Sequence, residues 1–302
     1  MSEYHIASFG EALVDLVMSD NGFQPYVGGA PANVAVAVSK LGGQSHFIGS
    51  VGDDVFGNMI VDELRRNQVN TEYTLKLSDH PTAAAYVSLD EQGERSFSFS
   101  RHDTADTRFP ISAIPVELFK NNKGIFHFGS NSLTTDYLAS ITLALLALAS
   151  KNGWSVSFDV NLRANLWPQG KMDKARIMQF VALADLIKMS DEEMQELDIQ
   201  TSFIEQQAKS VFVVTSGPQT IRLYTKGSSI EHQPQAVKAV DTTGAGDAFF
   251  GAFLHFVAKN QLFGCSSSGY QGAVEFAAAC GAYSVQHMGA TSSYPEYAQL
   301  VL

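Results

Sequence analysis

Asp241-Thr242-Thr243-Gly244-Ala245-Gly246-Asp247 runs without a break into the apolar segment Ala248 to Val257. Glycines at 244 and 246 remove side chains that would hold a bulky anion away from the backbone, and the first turn of a helix carries four N–H groups without intrahelical partners. The helix dipole adds positive character at that end, so such a turn accepts an anion, and a phosphoryl group in transfer is one candidate. Asp247 would then stand beside it with a carboxylate able to take a proton. The plainer alternative is a glycine turn with an aspartate cap, and these seven residues leave both open.

Upstream, Val211 to Thr215 reads as a buried strand closed by Ser216-Gly217-Pro218, with Thr220 to Thr225 as a hairpin return. From Lys123 onward strands and helices alternate: Ile125 to Phe128, a helix over Thr134 to Ser150, Ser155 to Asp159, a helix over about 173–182, Leu186 to Met189, and a helix over Asp191 to Leu197. Strands separated by helices of that length imply βαβ crossovers and a parallel sheet, whose ligands gather at the carboxyl ends of the strands. Those ends carry Gly129-Ser130-Asn131, Asp159-Val160-Asn161-Leu162-Arg163 and Lys188-Met189-Ser190, each more polar than an unoccupied turn needs. Downstream, Gly272 to Gln286 reads as an Ala-rich helix. Its stretch Ala277 to Ala282 offers either a thin surface for a flat base or a close helix contact.

At the other end of the chain, Ile6 to Phe9 reads as a buried strand and Glu11 to Met18 as a second one, with Asp15 among apolar neighbours. Asp15 either points to solvent or accepts hydrogen bonds from hydroxyls of a ligand. After the Asn21-Gly22 turn and a short strand comes Gly28-Gly29-Ala30-Pro31-Ala32-Asn33, where Pro31 suits the start of a helix that stops at Gly42-Gly43. Asn33 falls in the first turn, either satisfying the backbone or facing a ligand. Gln44 to Val51 is the next strand, followed by an amphipathic helix to about Asn67. Thr71 to Leu77, Thr82 to Leu89 and Arg95 to Ser100 then alternate as strands, the last two joined by an Asp90-Glu91-Gln92-Gly93 turn. With residues 11 to 27 they are expected to form a small, largely antiparallel sheet outside the main one, a lid over about 11–28 and 71–105. Arg101, just after Phe97-Ser98-Phe99-Ser100, is either a surface residue or a ligand to sugar or phosphate oxygen.

The chain has 302 residues, enough for one α/β domain over 1–302 carrying an insertion. Lys plus Arg is 20 against 31 Asp plus Glu, a formal charge of −11, which makes nucleic acid and anionic membrane poor partners. Cys265 and Cys280 form no CxxC, the longest apolar run is too short to span a bilayer, and the N-terminal residues lack a basic region, so the expected compartment is the cytoplasm. GxxxxGK[ST], GxGxxG, HExxH and GxSxG are all absent, which removes the anchors for P-loop, dinucleotide, zincin and α/β-hydrolase readings.

Gly28-Gly29-Ala30-Pro31-Ala32-Asn33-Val34-Ala35 and Asp241 to Ala248, in that order with strand-rich segments between, resemble the two signatures of the ribokinase-like (PfkB) carbohydrate kinases, and Asp159 to Arg163 followed by Leu166-Trp167 is similar to their bacterial fructokinase branch. The resemblance implies an α/β fold with a mainly parallel central sheet flanked by helices and a β-sheet lid. It implies ATP-dependent phosphorylation of a primary hydroxyl, most directly the 6-hydroxyl of fructose, with ribose, aminoimidazole riboside, 2-keto-3-deoxygluconate and a non-catalytic sugar-binding role as alternatives. It assigns Asp247 as base, the N–H groups of Gly244, Ala245 and Gly246 as anion hole, and Asp15, Gly28, Gly29, Asn33, Arg101 and Arg163 as sugar ligands. It puts Lys188, Ser190, Glu193, Thr215, Gly217, Cys280 and Gly281 near the nucleotide, with Glu193 acting indirectly on Mg²⁺. Asp241, Thr243, Ser284, Gly289 and Ser293 resemble a K⁺ loop. Ser190 replaces the family's more general Asn, and Thr220 stands where many relatives have Gly. A homodimer through the lid is also expected.

Overall fold

The apolar runs read from the sequence become strands whose side chains divide cleanly between two faces of one sheet. The computed structural model describes residues 4–19, 22–89, 95–207 and 209–300, so the Asp90-Glu91-Gln92-Gly93 turn and half of the Asn21-Gly22 turn lie outside the described residues. In chain order the elements are β1 (Tyr4–Phe9), β2 (Leu13–Ser19), β3 (Gly22–Gly28), α1 (Ala30–Lys40), β4 (Gln44–Gly52), α2 (Val55–Arg66), β5 (Thr74–Leu77), β6 (Ala84–Leu89), β7 (Arg95–Ser100), α3 (Val116–Asn121), β8 (Lys123–Gly129), α4 (Asp136–Lys151) and β9 (Ser155–Asp159). They continue with α5 (Lys174–Val181), β10 (Leu186–Ser190), α6 (Asp191–Glu196), α7 (Thr201–Gln206), β11 (Val211–Thr215), β12 (Ile221–Thr225), β13 (Ser228–His232), α8 (Ala245–Asn260) and α9 (Gln271–Ser284).

The main sheet has the order β13-β12-β11-β10-β9-β8-β1-β4-β5. Its pairs are parallel from β11 through β5, and the β11–β12 and β12–β13 pairs are antiparallel, so β12 alone among these strands is reversed. Phe126, Phe128, Phe158, Ile187, Met189 and Phe212 point to one face and pack with Leu145 of α4 and Ile177 and Phe180 of α5. Their neighbours in sequence, Ile125, Leu186, Val211 and Val213, point to the other face against Val34, Phe250, Phe253 and Phe276 of α1, α8 and α9. Burial on both faces is why these strands read as continuous apolar runs rather than alternating ones. No helix among the described residues is long and apolar enough to cross a membrane.

The second sheet, β3-β2-β6-β7, is antiparallel at both ends and parallel between β2 and β6. One expected member is missing from it. Thr71 to Leu77 supplies β5, which pairs in parallel with β4 from Gly49↔Thr74 to Gly52↔Leu77 and forms an edge of the main sheet. Period-two alternation marks a strand but does not name its partner. After α2 the chain makes a crossover that returns it beside β4, and Thr74 Oγ1 donates to the Phe47 carbonyl there at 3.2 Å. The lid sheet therefore comprises 13–28 and 84–100, not 71–105. Helices α3 and α7 and strand β13 were not expected from sequence.

Phe128 is fully buried, stacked on Phe158 at 4.8 Å and edge-on to Phe180 at 5.7 Å. Phe128→Ala should lower stability by about 3–5 kcal/mol, read as a lower urea midpoint, because the cavity it leaves is walled by other strand side chains.

Candidate active site

Strand β1 is flanked by β4 on one side and β8 on the other, so successive crossovers leave it in opposite directions. A crevice opens at the carboxyl end of such a strand. A cleft of about 1010 Å³ lies there, and Asp15, Gly29, Asn33, Arg163, Gly244 and Asp247 line it. The two N-terminal glycines allow this closeness. A Cβ at Gly29, whose φ is 105°, would stand 2.5 Å from the Glu11 carbonyl oxygen, and one at Gly28 would stand 2.6 Å from Asp15 Oδ2. Gly28 is itself buried behind Asp15 rather than in the cleft lining.

Helices α1 and α8 bring the two sequence motifs together. Gly251 of α8 has no side chain to meet Ala37, whose Cβ would be 2.7 Å away, so the helices pack closely. At their N-terminal ends Asn33 Nδ2 donates to Asp247 Oδ2 at 2.8 Å. Although the Asp247 side chain keeps some contact with the cleft, loss of surrounding water raises its pKa to about 7, against the opposing pull of Asn33, and the Asp159 charge adds to the rise. Gly244 is left-handed at φ 72°, and a Cβ there would meet Tyr294 Oη at 2.4 Å. The Tyr294 hydroxyl donates to the Gly244 carbonyl at 3.1 Å. Among the described residues the amides of Gly244 and Gly246 have no backbone acceptor, whereas the Ala245 amide donates to the Thr242 carbonyl at 3.3 Å. The expected three-amide hole thus has two open members and one already engaged.

Below this turn Lys188 Nζ holds both Asp159 oxygens at 3.0 and 2.9 Å. It also lies 3.4 Å from where a Cβ on Gly246 would stand, so glycine at 246 leaves its ammonium uncovered on that side. Burial works against the Lys188 charge, but Asp159, Glu193 and Asp247 more than offset it and raise its pKa.

Along the carboxyl ends of β10 and β11, Ser190 and Thr215 are register partners, with left-handed Gly217 just beyond. Ser190 caps α6: its hydroxyl accepts from the Glu193 amide at 3.2 Å while Glu193 Oε2 accepts from the Ser190 amide at 2.8 Å. Glu193 Oε1 accepts from the Leu162 amide at 2.7 Å. Serine in place of the family's Asn thus completes a reciprocal cap that holds the Glu193 carboxylate in a fixed place. Both oxygens engage amides, an arrangement suited to a divalent ion that keeps its own waters. Cys280 departs from expectation. It is 1% exposed, packed among Phe276 and Ala277, and burial pushes its thiol up to about 12, so its side chain offers a nucleotide no contact. A Cβ on Gly281 would meet Phe249 Cβ at 3.6 Å, an ordinary contact with α8, and Gly281 itself is half-buried.

Asp241 ties two loops. Its Oδ1 accepts from the Thr243 amide and hydroxyl at 2.9 and 2.7 Å, and its Oδ2 from the Gly289 amide at 2.9 Å. The Val240 and Asp241 amides bond the Val285 carbonyl, next to Ser284, whose buried hydroxyl has no partner among the described residues. Ser293 donates to the Ala290 carbonyl at 2.7 Å. An oxygen-lined loop with an unsatisfied hydroxyl fits a hard monovalent cation.

Arg101 also departs from expectation. Its side chain is 5% exposed, donates to Asp106 at 2.6 Å and to the Asn131 carbonyl at 3.2 Å, and stands behind the cleft wall. The cleft-lining residues that sequence reading did not single out as ligands include Glu11, Asn131, Asn161 and Asn165. Asn161 had a signal, being in a polar cluster at the end of β9, and its left-handed φ of 33° is one that Asn tolerates.

A parallel sheet with a separate lid, and a carboxylate held beside open amides at a helix start, define a sugar kinase of ribokinase-like fold. Residues 4–297 match the family described as pfkB family carbohydrate kinase, and the chain belongs to that family. It is 39% identical over 306 residues to a probable fructokinase-5 of Arabidopsis thaliana, covering 96% of this chain and 94% of that one. The crystal structure of a Xylella fastidiosa fructokinase with bound ATP superposes with a TM-score of 0.91 at 35% identity, covering 98% and 96% of the two chains. A Vibrio cholerae fructokinase in a fructose, ADP and calcium ion bound form gives a TM-score of 0.91 at 35% identity, covering 99% and 98%.

With its pKa raised to about 7 in the folded protein, Asp247 gives up its proton later than in the unfolded chain. Stability therefore falls as pH rises from the ordinary aspartate range through about 7. Asp247→Asn should remove that decline, so its melting temperature should exceed the wild type's above pH 7 and converge on it in acid.

Proposed function

We propose that the chain is an ATP-dependent fructokinase, transferring the γ-phosphoryl group to the 6-hydroxyl of fructose. The observation that carries this reading is the Asn33-held Asp247 carboxylate beside the open Gly244 and Gly246 amides. Full-length similarity to fructokinases, including neighbours that hold ATP, or fructose with ADP, supports the choice of substrates.

Asp15, Gly29 and Asn33 hold the sugar, and Arg163 reaches it from the exposed end of the β9 turn. Asp247 accepts the hydroxyl proton as the oxygen forms its bond to the γ-phosphorus and the bond to the ADP oxygen breaks. The Gly244 and Gly246 amides and the Lys188 ammonium meet the charge on the transferred oxygens. Asp159 keeps Lys188 charged and in place. The Glu193 carboxylate would hold waters of a bound Mg²⁺, and that ion would supply neutralisation of phosphate charge. The Asp241 loop would hold K⁺, a reading supported by a potassium-bound form of a Vibrio cholerae fructokinase double mutant. Closure of the lid excludes water, the competing acceptor. The lid also exposes Met18, Phe23, Tyr26 and Tyr86, which suit pairing with a second copy in a cytoplasmic homodimer.

A coupled ADP-release assay across fructose, ribose, glucose, nucleosides and 2-keto-3-deoxygluconate, with and without K⁺, tests the reading; fructose should give the highest kcat/KM, and turnover confined to another sugar would overturn it. Asp247→Ala should lower kcat by at least about 10²–10⁴-fold with a smaller change in the KM for ATP. In the wild type, kcat/KM for fructose should rise tenfold per pH unit on the acid side and level off near pH 7, as the Asp247 carboxyl ionises.

A further inference from the structure

Three side chains of the cleft lining each keep one buried oxygen without a partner among the described residues: Glu11 Oε2, Asn131 Oδ1 and Asn33 Oδ1. All three residues line the cleft, and they are 3%, 6% and 5% exposed. An unsatisfied buried acceptor is costly, so three of them on residues that line one cleft favour a ligand that supplies donors.

Glu11 and Asn131 are locked together. Asn131 Nδ2 donates to Glu11 Oε1 at 2.9 Å, which uses the amide nitrogen and leaves Oδ1 as the acceptor. Behind them Arg101 donates to the Asn131 carbonyl and to Asp106, and Thr104 Oγ1 donates to Asp106 Oδ1 at 2.6 Å. Burial raises the Glu11 carboxyl pKa and Asp106 adds to that, while the Arg101 guanidinium and the Asn131 amide pull it back. The arginine is thus a fixed positive support for a carboxylate that lines the cleft.

Resting on the fructokinase reading above, we infer that Glu11 and Asn131, set in place by Arg101, form a second hydroxyl-recognition pair that accepts hydrogen bonds from secondary hydroxyls of the ketose. Every orphaned atom is an acceptor, so the pair selects neutral polyhydroxylated sugars. It rejects analogues lacking a hydroxyl, which leave it unpaired. Arg101 is a positioning residue in this arrangement and touches no substrate.

Glu11→Gln keeps the side-chain volume and an oxygen for Asn131 but replaces the second carboxylate oxygen with an NH₂ donor. Its KM for fructose should rise at least about 10-fold, the loss expected for one hydrogen bond to a charged group, with kcat changed less than about 3-fold and the KM for ATP unmoved. Monodeoxy fructoses supply a readout that a merely structural role would not move. At least one should lose about 10-fold or more in kcat/KM with wild type, and that penalty should vanish in Glu11→Gln. An unchanged KM for fructose, or an equal loss for fructose and every deoxy analogue, would overturn the inference. Should Glu11→Gln not fold, Asn131→Ser carries the same measurements and the same outcomes decide. If wild type phosphorylates no sugar, the kinase reading fails separately. Calorimetric titration of fructose into wild type and Glu11→Gln then judges the pair, and equal or absent binding in both would overturn it.

Discussion

The hydrogen bond from Asn33 to Asp247, spanning 214 positions of sequence at 2.8 Å, is the constraint on which the rest of the site depends. It joins the first turns of α1 and α8, and both turns begin at a glycine with positive φ. A side chain at Gly29 would strike the Glu11-Ala12 backbone that links β1 to β2, one at Gly251 would part the two helices, and one at Gly244 would displace Tyr294. The three glycines are therefore parts of one requirement, that two helix starts converge on a single point at the carboxyl edge of the sheet. Lys40, donating from the end of α1 to the Thr291 and Tyr294 carbonyls at 2.8 and 3.1 Å, fastens the loop that carries Tyr294 to the same helix.

Convergence places charges where solvent cannot screen them well. Asp247, Asp159 and Lys188 interact through their charges at the α8 turn, with Lys188 bonded directly to Asp159. The arrangement makes Asp247 reluctant to ionise while leaving it able to do so near neutrality, the condition under which a base is both present and strong enough to accept a hydroxyl proton. The fold tolerates this local loss of stability because two covered faces of the main sheet supply an extensive apolar core.

Much of this was legible in the sequence, for identifiable reasons. Glycine at 29, 244 and 246 announces backbone approach, and helix-length spacing of apolar strands from Ile125 to Thr215 announces a parallel sheet. The Asp15, Asn33, Arg163 and Asp247 assignments all fall on the cleft. What was not legible depends on long-range partners. β5 alternates like a lid strand, and only its register with β4 places it in the main sheet. Arg101 sits at a plausible ligand position, yet Asp106, five residues on, claims its guanidinium. Cys280 belongs to an Ala-rich run whose partner, α8, was not evident from composition. Glu11 reads as one more residue of a strand until Asn131, 120 positions away, is seen to hold one of its oxygens and leave the other without a partner among the described residues.

The central claim is that the open amides at the start of α8 meet the phosphoryl group in flight while Asp247 takes the proton of its acceptor. A crystal structure with fructose, ADP, Mg²⁺ and aluminium fluoride tests it most directly. The account predicts the fluoride ligands within hydrogen-bond distance of the Gly244 and Gly246 amides, and the attacking sugar oxygen about 2.6–3.2 Å from the Asp247 carboxylate. Aluminium bound away from that turn, or a sugar whose primary hydroxyl faces a group other than Asp247, would contradict it.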